Sequence, residues 1–245
     1  MKSAKYQRRF YRDRVSAKDL HIYRIAAKET DLQVSTSKAL DKDFVEERIR
    51  SYRWDIENYI NRDRKFLVSL KPIAVELTAP VIVKEMARQA MAVNVGPMAT
   101  VAGAIAELLG RELLKAGYKD VIVENGGDIF MSSRKSRLIG IYSGRSKLWN
   151  KLKLKINPKD MPIAVCTSSG TMGHSLSFGA ADSVVIISKS AALSDAVATS
   201  VCNRVQSRKD LQPALDFAKS IKGVLGCVII FKSYLASWGK VEFAK

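Results

Sequence analysis

The stretch from Pro162 to Asn203 reads PIAVCTSSGTMGHSLSFGAADSVVIISKSAALSDAVATSVCN. Its two apolar runs, Ile163–Val165 and Val184–Ile187, are rich in β-branched residues, and each predicts a buried strand. Between them lies a loop of Ser, Thr and Gly with one histidine, His174. A helix-like run from Ala191 to Val205 follows and sets Asp195 and Thr199 four residues apart, on one helix face. Buried strands do not need so many hydroxyls and glycines in their connection. A site for an anionic, oxygen-rich ligand does, because glycine lets backbone N–H groups approach and Ser and Thr add donors.

Outward from this stretch, short strands and helices come in runs. Val121-Ile122-Val123-Glu124 predicts a buried strand that enters Asn125-Gly126-Gly127-Asp128 and leaves as Ile129-Phe130-Met131. Further strands are expected at Leu138–Tyr142 and Leu152–Ile156, which with Ile163–Cys166 and Val184–Ile187 have the alternation of an antiparallel meander, then at Val224–Phe231 and, as a last edge strand, Trp238–Phe243. Lys5–Val15 and Leu20–Ser35 read as extended, the latter as a hairpin turning at Glu29-Thr30-Asp31. Phe66–Leu70 reads as a short strand or loop end. Asp41 to Asn61 is the clearest helix: Val45, Ile49, Tyr52, Ile56 and Tyr59 build one apolar stripe, and Asp43 with Glu46 resembles a capping box. Pro80–Ala92, the small-residue run Ala99–Ala116 and Leu211–Ser220 predict further helices. The fold class is therefore α+β: antiparallel sheet with packed helices in a single compact domain, 1–245, opened by a hairpin within 1–40 and holding its ligand-site core in 94–205.

Lys and Arg outnumber Asp and Glu by 41 to 24, a formal charge of +17. Such a field favours anionic partners, either a small-molecule ligand or nucleic acid, though no nucleic-acid-binding motif accompanies it. Cys166, Cys202 and Cys227 are an odd number without a CxxC, which points to a reducing cytoplasm and away from a disulfide framework or structural zinc. No signal-like segment or membrane-length apolar run is present, so no membrane partner is expected, and oligomeric state is left open.

Each candidate carries a plain alternative. Asn125-Gly126-Gly127-Asp128 suits close approach to a ligand, and equally a hairpin turn. Thr167-Ser168-Ser169-Gly170 could cradle a phosphate but lacks the ending of a Walker loop. His174 is a candidate general base or simply a polar loop residue. Asp195 and Thr199 are hard oxygen ligands suited to Mg²⁺; alternatively Ser194 or Asp195 caps or charges the helix start. Asp182 is a further candidate, and Cys166 is either a reactive thiolate or a small buried hydrophobe.

Taken in order, Glu124-Asn125-Gly126-Gly127-Asp128-Ile129, Thr167-Ser168-Ser169-Gly170, His174 and Asp195-Ala196-Val197-Ala198-Thr199 resemble the motifs of the FAD:protein FMN transferase (ApbE) superfamily. The length, with Tyr11-Arg12 and Glu29-Thr30-Asp31-Leu32, looks like its shorter cytoplasmic branch. The resemblance implies an ApbE-like fold and a flavin nucleotide, FAD or FMN, bound with Mg²⁺. It implies metal binding by Asp195 and Thr199, and a site bordered by Asn125, Gly126, Gly127, Asp128, Thr167, Ser168, Ser169 and Gly170. The activity it implies is FMN transfer; for the shorter branch it also implies sulfide incorporation toward homocysteine. Departures are clear: no Ile-Asp-Pro follows His174, and Val95-Gly96-Pro97 stands where a Lys-Gly pair is expected.

Overall fold

A computed structural model of the chain describes residues 15, 17–143, 151–171 and 178–244. Its strands are β1 (His21–Ala27), β2 (Thr30–Thr36), β3 (Val121–Asn125), β4 (Asp128–Ser132), β5 (Arg137–Gly140), β6 (Lys153–Ile156), β7 (Ile163–Ser168), β8 (Ser183–Ser188), β9 (Val224–Phe231), β10 (Tyr234–Gly239) and β11 (Phe243–Ala244). Eight of them form one antiparallel sheet in the order β1-β2-β3-β4-β7-β8-β9-β10.

The central strands bury both faces. Val121, Val123, Phe130, Ala164 and Cys166 pack under the helices. Ile122, Ile129, Met131, Ile163 and Val165 pack on the opposite face against Ile139, Leu154 and Ile156 of β5 and β6. Alternate side chains point to opposite faces, so a strand covered on both sides reads as a continuous apolar run.

The expected single meander is corrected here. β4 pairs directly with β7, Ile129 opposite Val165, while β5 and β6 leave the main sheet and pair with β11. The expected last strand is likewise two, β10 in the main sheet and β11 in the small one. The small sheet packs by one face only, and its other face carries Lys153 and Lys155.

The helical layer comprises α1 (Lys42–Arg62), α2 (Lys65–Val68), α3 (Val81–Ala92), α4 (Val101–Lys115), α5 (Ala191–Arg204) and α6 (Leu211–Ser220). The stripe predicted for α1 is buried. Its cap is Asp41, which accepts the Phe44 N–H at 3.0 Å, so the Asp43–Glu46 box is not formed and Glu46 pairs with Arg50. Phe66 lies in α2, a helical turn where a strand or loop was expected; its ring meets Tyr59 edge-on at 5.0 Å. Trp54, off the stripe, is 67% exposed. α4 lies over β3 and β4, and α5 over β7 and β8. Among the described residues no single helix is long and apolar enough to cross a membrane.

Candidate functional site

The β3–β4 connection is a two-residue hairpin turn, with Asn125 opposite Asp128. Gly126 and Gly127 have φ of 67° and 105°, and a turn with positive φ at both central residues needs glycine or its few substitutes. Glu124 fixes the turn by accepting the Gly127 N–H at 2.8 Å. The flanking side chains go inward. Asn125 donates to the Ala102 carbonyl at 3.2 Å, and Asp128 accepts the Thr167 N–H at 3.2 Å. One turn thus fastens the start of α4 to the end of β7.

At α4 the missing cap comes from another helix. Thr100 makes no side-chain cap, and Asp195 of α5 accepts the Gly103 N–H at 3.0 Å. Reciprocally, Glu107 of α4 accepts the Ala191 N–H at 2.6 Å and the Ala192 N–H at 3.4 Å at the start of α5. The α5 N-cap is Ser190, which accepts the Leu193 N–H and donates to Glu107 at 2.8 Å. Neither Ser194 nor Asp195 caps its own helix. Gly103 is required by the close approach: a Cβ there would lie 2.3 Å from the Ala191 carbonyl oxygen.

Three titratable groups meet beneath this contact: Asp128, Cys166 and Asp195. Burial pushes the Asp128 carboxyl up to about 7, opposed by the Cys166 thiol and the Thr167 N–H. Burial, then the charge of Asp128, also pushes Asp195 well up, opposed by the α4 amides. Asp195 nonetheless keeps some surface toward solvent, whereas Asp128 is buried. Neither makes an ion pair with a described residue. Cys166 donates to the Ala191 carbonyl at 3.3 Å, and burial pushes its thiol well above the usual range. It is the small buried residue, not a thiolate.

Beyond β7 the described flanks of the loop, residues 169–171 and 178–182, are tied to each other and to neighbouring strands. The Gly170 N–H donates to Ala181 O at 2.9 Å, and Ser169 accepts the Thr171 N–H at 3.2 Å. Asp182 accepts from Thr171 and from the Lys232 N–H at 2.6 Å, which makes it an anchor for the loop. Ser168 is different. It is buried, and its hydroxyl has no partner among the described residues. Thr199 is buried one turn beyond Asp195 on α5. His174 lies outside the described residues.

The hard oxygen donors fit a magnesium ion in part. Among the described residues no group of three His, Cys, Asp and Glu side chains is placed to share a metal. Magnesium does not require one: one or two carboxylates suffice where waters and ligand phosphates complete the shell. Among the described residues Asp195 supplies a carboxylate with no cationic partner, Thr199 a hydroxyl at i+4, and Ser168 a hydroxyl without a partner. Two cavities of about 300 Å³ lie elsewhere, one along β6 and β10–β11 and one between α3 and α4. The second borders the back of Glu107. Gly103 belongs to the small-residue run expected to allow close approach, but Glu107 escaped the sequence reading; its only signal was one acid in an otherwise apolar run from Val101 to Gly110.

The family model described as AbpE bacteria matches residues 12–231. The chain belongs to that family. The UPF0280 protein of Methanocaldococcus jannaschii is 40% identical over 226 residues, covering 89% of this chain and 90% of that protein. A UPF0280 protein of Methanosarcina acetivorans is 37% identical over 215 residues, covering 87% and 85%. Among solved structures, the flavin transferase ApbE from Vibrio cholerae superposes with a TM-score of 0.59 at 13% identity, covering 90% of this chain and 97% of that one. The ApbE protein from Thermotoga maritima gives 0.58 at 12% identity, covering 92% and 97%. At such identities the likeness is one of fold: AbpE-family architecture, α+β, with the large antiparallel sheet under a layer of helices.

Proposed function

We propose that the chain binds a flavin nucleotide, FAD or FMN, together with Mg²⁺, where the β3–β4 turn, the end of β7 and the paired starts of α4 and α5 meet, and that its reaction is of the FMN-transfer type. The observation that carries this reading is Asp195: a carboxylate held by α4 amides, beside a second carboxylate, without a basic partner among the described residues and with surface left toward solvent. Buried like charges without a counter-ion are costly, and a divalent cation relieves that cost. The names of the structural neighbours, flavin transferases, supply the ligand class.

In this reading Asp195 and Thr199 hold the metal, and Asp128 adds negative charge behind them. Bound there, Mg²⁺ screens the charge of a nucleotide's pyrophosphate. Asn125 and Asp128 fix the turn against α4 and β7, and Thr167 to Gly170 form the border toward the ligand, with the Ser168 hydroxyl free to donate. His174 is assigned the general base. A sulfide-incorporating role through Cys166 gains no support from a thiol kept protonated by burial.

Isothermal titration with FAD tests the assignment. Asp195→Ala should weaken binding at least tenfold in Mg²⁺ and change it little in EDTA, since tenfold corresponds to about 1.4 kcal/mol. Equal affinities for mutant and wild type in saturating Mg²⁺ would remove the metal site. No binding of FAD by the wild type, with or without Mg²⁺, would remove the flavin.

A further inference from the structure

We infer that Glu107 is a positioning residue for Asp195, acting through the reciprocal caps of α4 and α5. Gly103 and Glu107 are four apart on α4; Ala191 and Asp195 are four apart on α5. Asp195 caps the amide at Gly103, and Glu107 caps the amides at Ala191 and Ala192. The two i,i+4 pairs therefore face each other with the helices antiparallel, and each helix supplies an acceptor to free N–H groups at the start of the other. The free N–H groups of a helix start need such acceptors, and a carboxylate there also meets the favourable end of the helix dipole.

Glu107 has no capacity left for a ligand. One oxygen takes Ser190 and the α5 amides, and the other takes Arg111 Nε at 2.8 Å. Arg111 in turn reaches the Lys189 carbonyl, just before α5, at 3.3 Å. The whole group fixes the axial position of α5 relative to α4. That position sets where the Asp195 carboxylate stands against the Gly103 amide, since there is no space at Gly103 for the helices to slide. The bearing of this on ligand binding rests on the metal reading above; the coupling between the caps does not.

The test uses the full chain and amide hydrogen exchange by NMR. Glu107→Ala should speed exchange at Ala191 and Ala192 directly. It should also speed exchange at Gly103, on the other helix, by roughly tenfold, the order of a lost helix cap. Glu107→Gln, which keeps an acceptor oxygen, should restore most of the protection and serves alone should the alanine variant fail to fold. Ile156→Val in the small sheet is the control: it lowers stability and should leave the ratio of Gly103 to core-amide exchange unchanged. Faster exchange at Ala191 and Ala192 with Gly103 unchanged would overturn the inference, because the two caps would then be independent. So would a Gly103 change no greater than in the Ile156→Val control. FAD titrations in Mg²⁺ and EDTA form a separate arm. A wild type without Mg²⁺-dependent affinity sinks the metal reading while the exchange result still judges the coupling. A wild type that has it should lose it in Glu107→Ala and keep most of it in Glu107→Gln.

Discussion

Asp128 is buried beside Asp195, and its carboxyl holds a proton up to about pH 7 where an exposed one would release it near the ordinary value of 3.8. The sign follows from proton binding. Between the two values the folded chain keeps a proton that the unfolded chain has lost, so this group's contribution to stability falls as pH rises through that window. Asp19 acts in the opposite sense. Hydrogen bonds from Arg137 and Lys135 hold it well below the usual carboxylate range, so its contribution is lost only as pH falls below that range. Urea unfolding in EDTA should therefore show Asp128→Asn gaining on the wild type steadily from pH 4 to 7, by on the order of a few kcal/mol over that range, with the difference constant below pH 4. A difference that is flat with pH would show that Asp128 is ionised in the folded chain. If the proposed metal site holds, adding Mg²⁺ at pH 7 should narrow the gap, because the cation would favour the ionised wild type and have less to bind in the mutant.

At the scale of elements, two glycine sites separate close approach from backbone conformation. Gly103→Ala places a Cβ 2.3 Å from the Ala191 carbonyl oxygen and 2.9 Å from the Asp195 Cβ, so α4 must move off α5. A loss of roughly 1–3 kcal/mol is expected by chemical denaturation, with Mg²⁺-dependent FAD binding lost as well. Gly126→Ala meets open space, and only its positive φ is strained. About 1 kcal/mol is expected there. Reversal of the order, with the turn glycine costing more, would mean that α4 and α5 are less tightly joined than their caps indicate. This pair also shows what could be read from sequence. Both positions were visible as glycines in suggestive places. The turn could be assigned from two adjacent glycines after a strand, because a turn is local. The helix contact could not, since its partner lies 92 residues away in Asp195.

Across the whole molecule, the small sheet is tied down by a buried arginine. Arg137 is 3% exposed, donates to Asp19 and to Ser133, and lies near the buried Asp120. Asp120 also accepts from Arg134 and Ser133. Arg137→Ala removes the cation that joins these groups, and a loss of roughly 3 kcal/mol is expected from breaking a buried pair. Thermal unfolding measures the loss. Amide exchange should place it first in β5 and β6, and exchange that rises instead across β7 and β8 would mean the small sheet is not held by this contact.

The amino-acid sequence by itself determined the elements and their class. β-branched runs under two packed faces, one long amphipathic stripe and Gly-rich turns are set by neighbours a few residues away, and they are legible for that reason. It also marked Asn125, Asp128, Thr167 and Asp195, whose side-chain chemistry is unusual for their surroundings. Tertiary structure alone decided which strands share a sheet: β4 skips β5 and β6 to pair with β7, because pairing is chosen by which faces can be buried together, not by order along the chain. It also decided the partners of the polar groups. Ser190 and not Ser194 caps α5, Glu107 completes that cap, and Asp195 serves another helix. The last two are hydrogen bonds between distant segments, and each acceptor reaches the other helix's free N–H groups only once the two helices stand side by side.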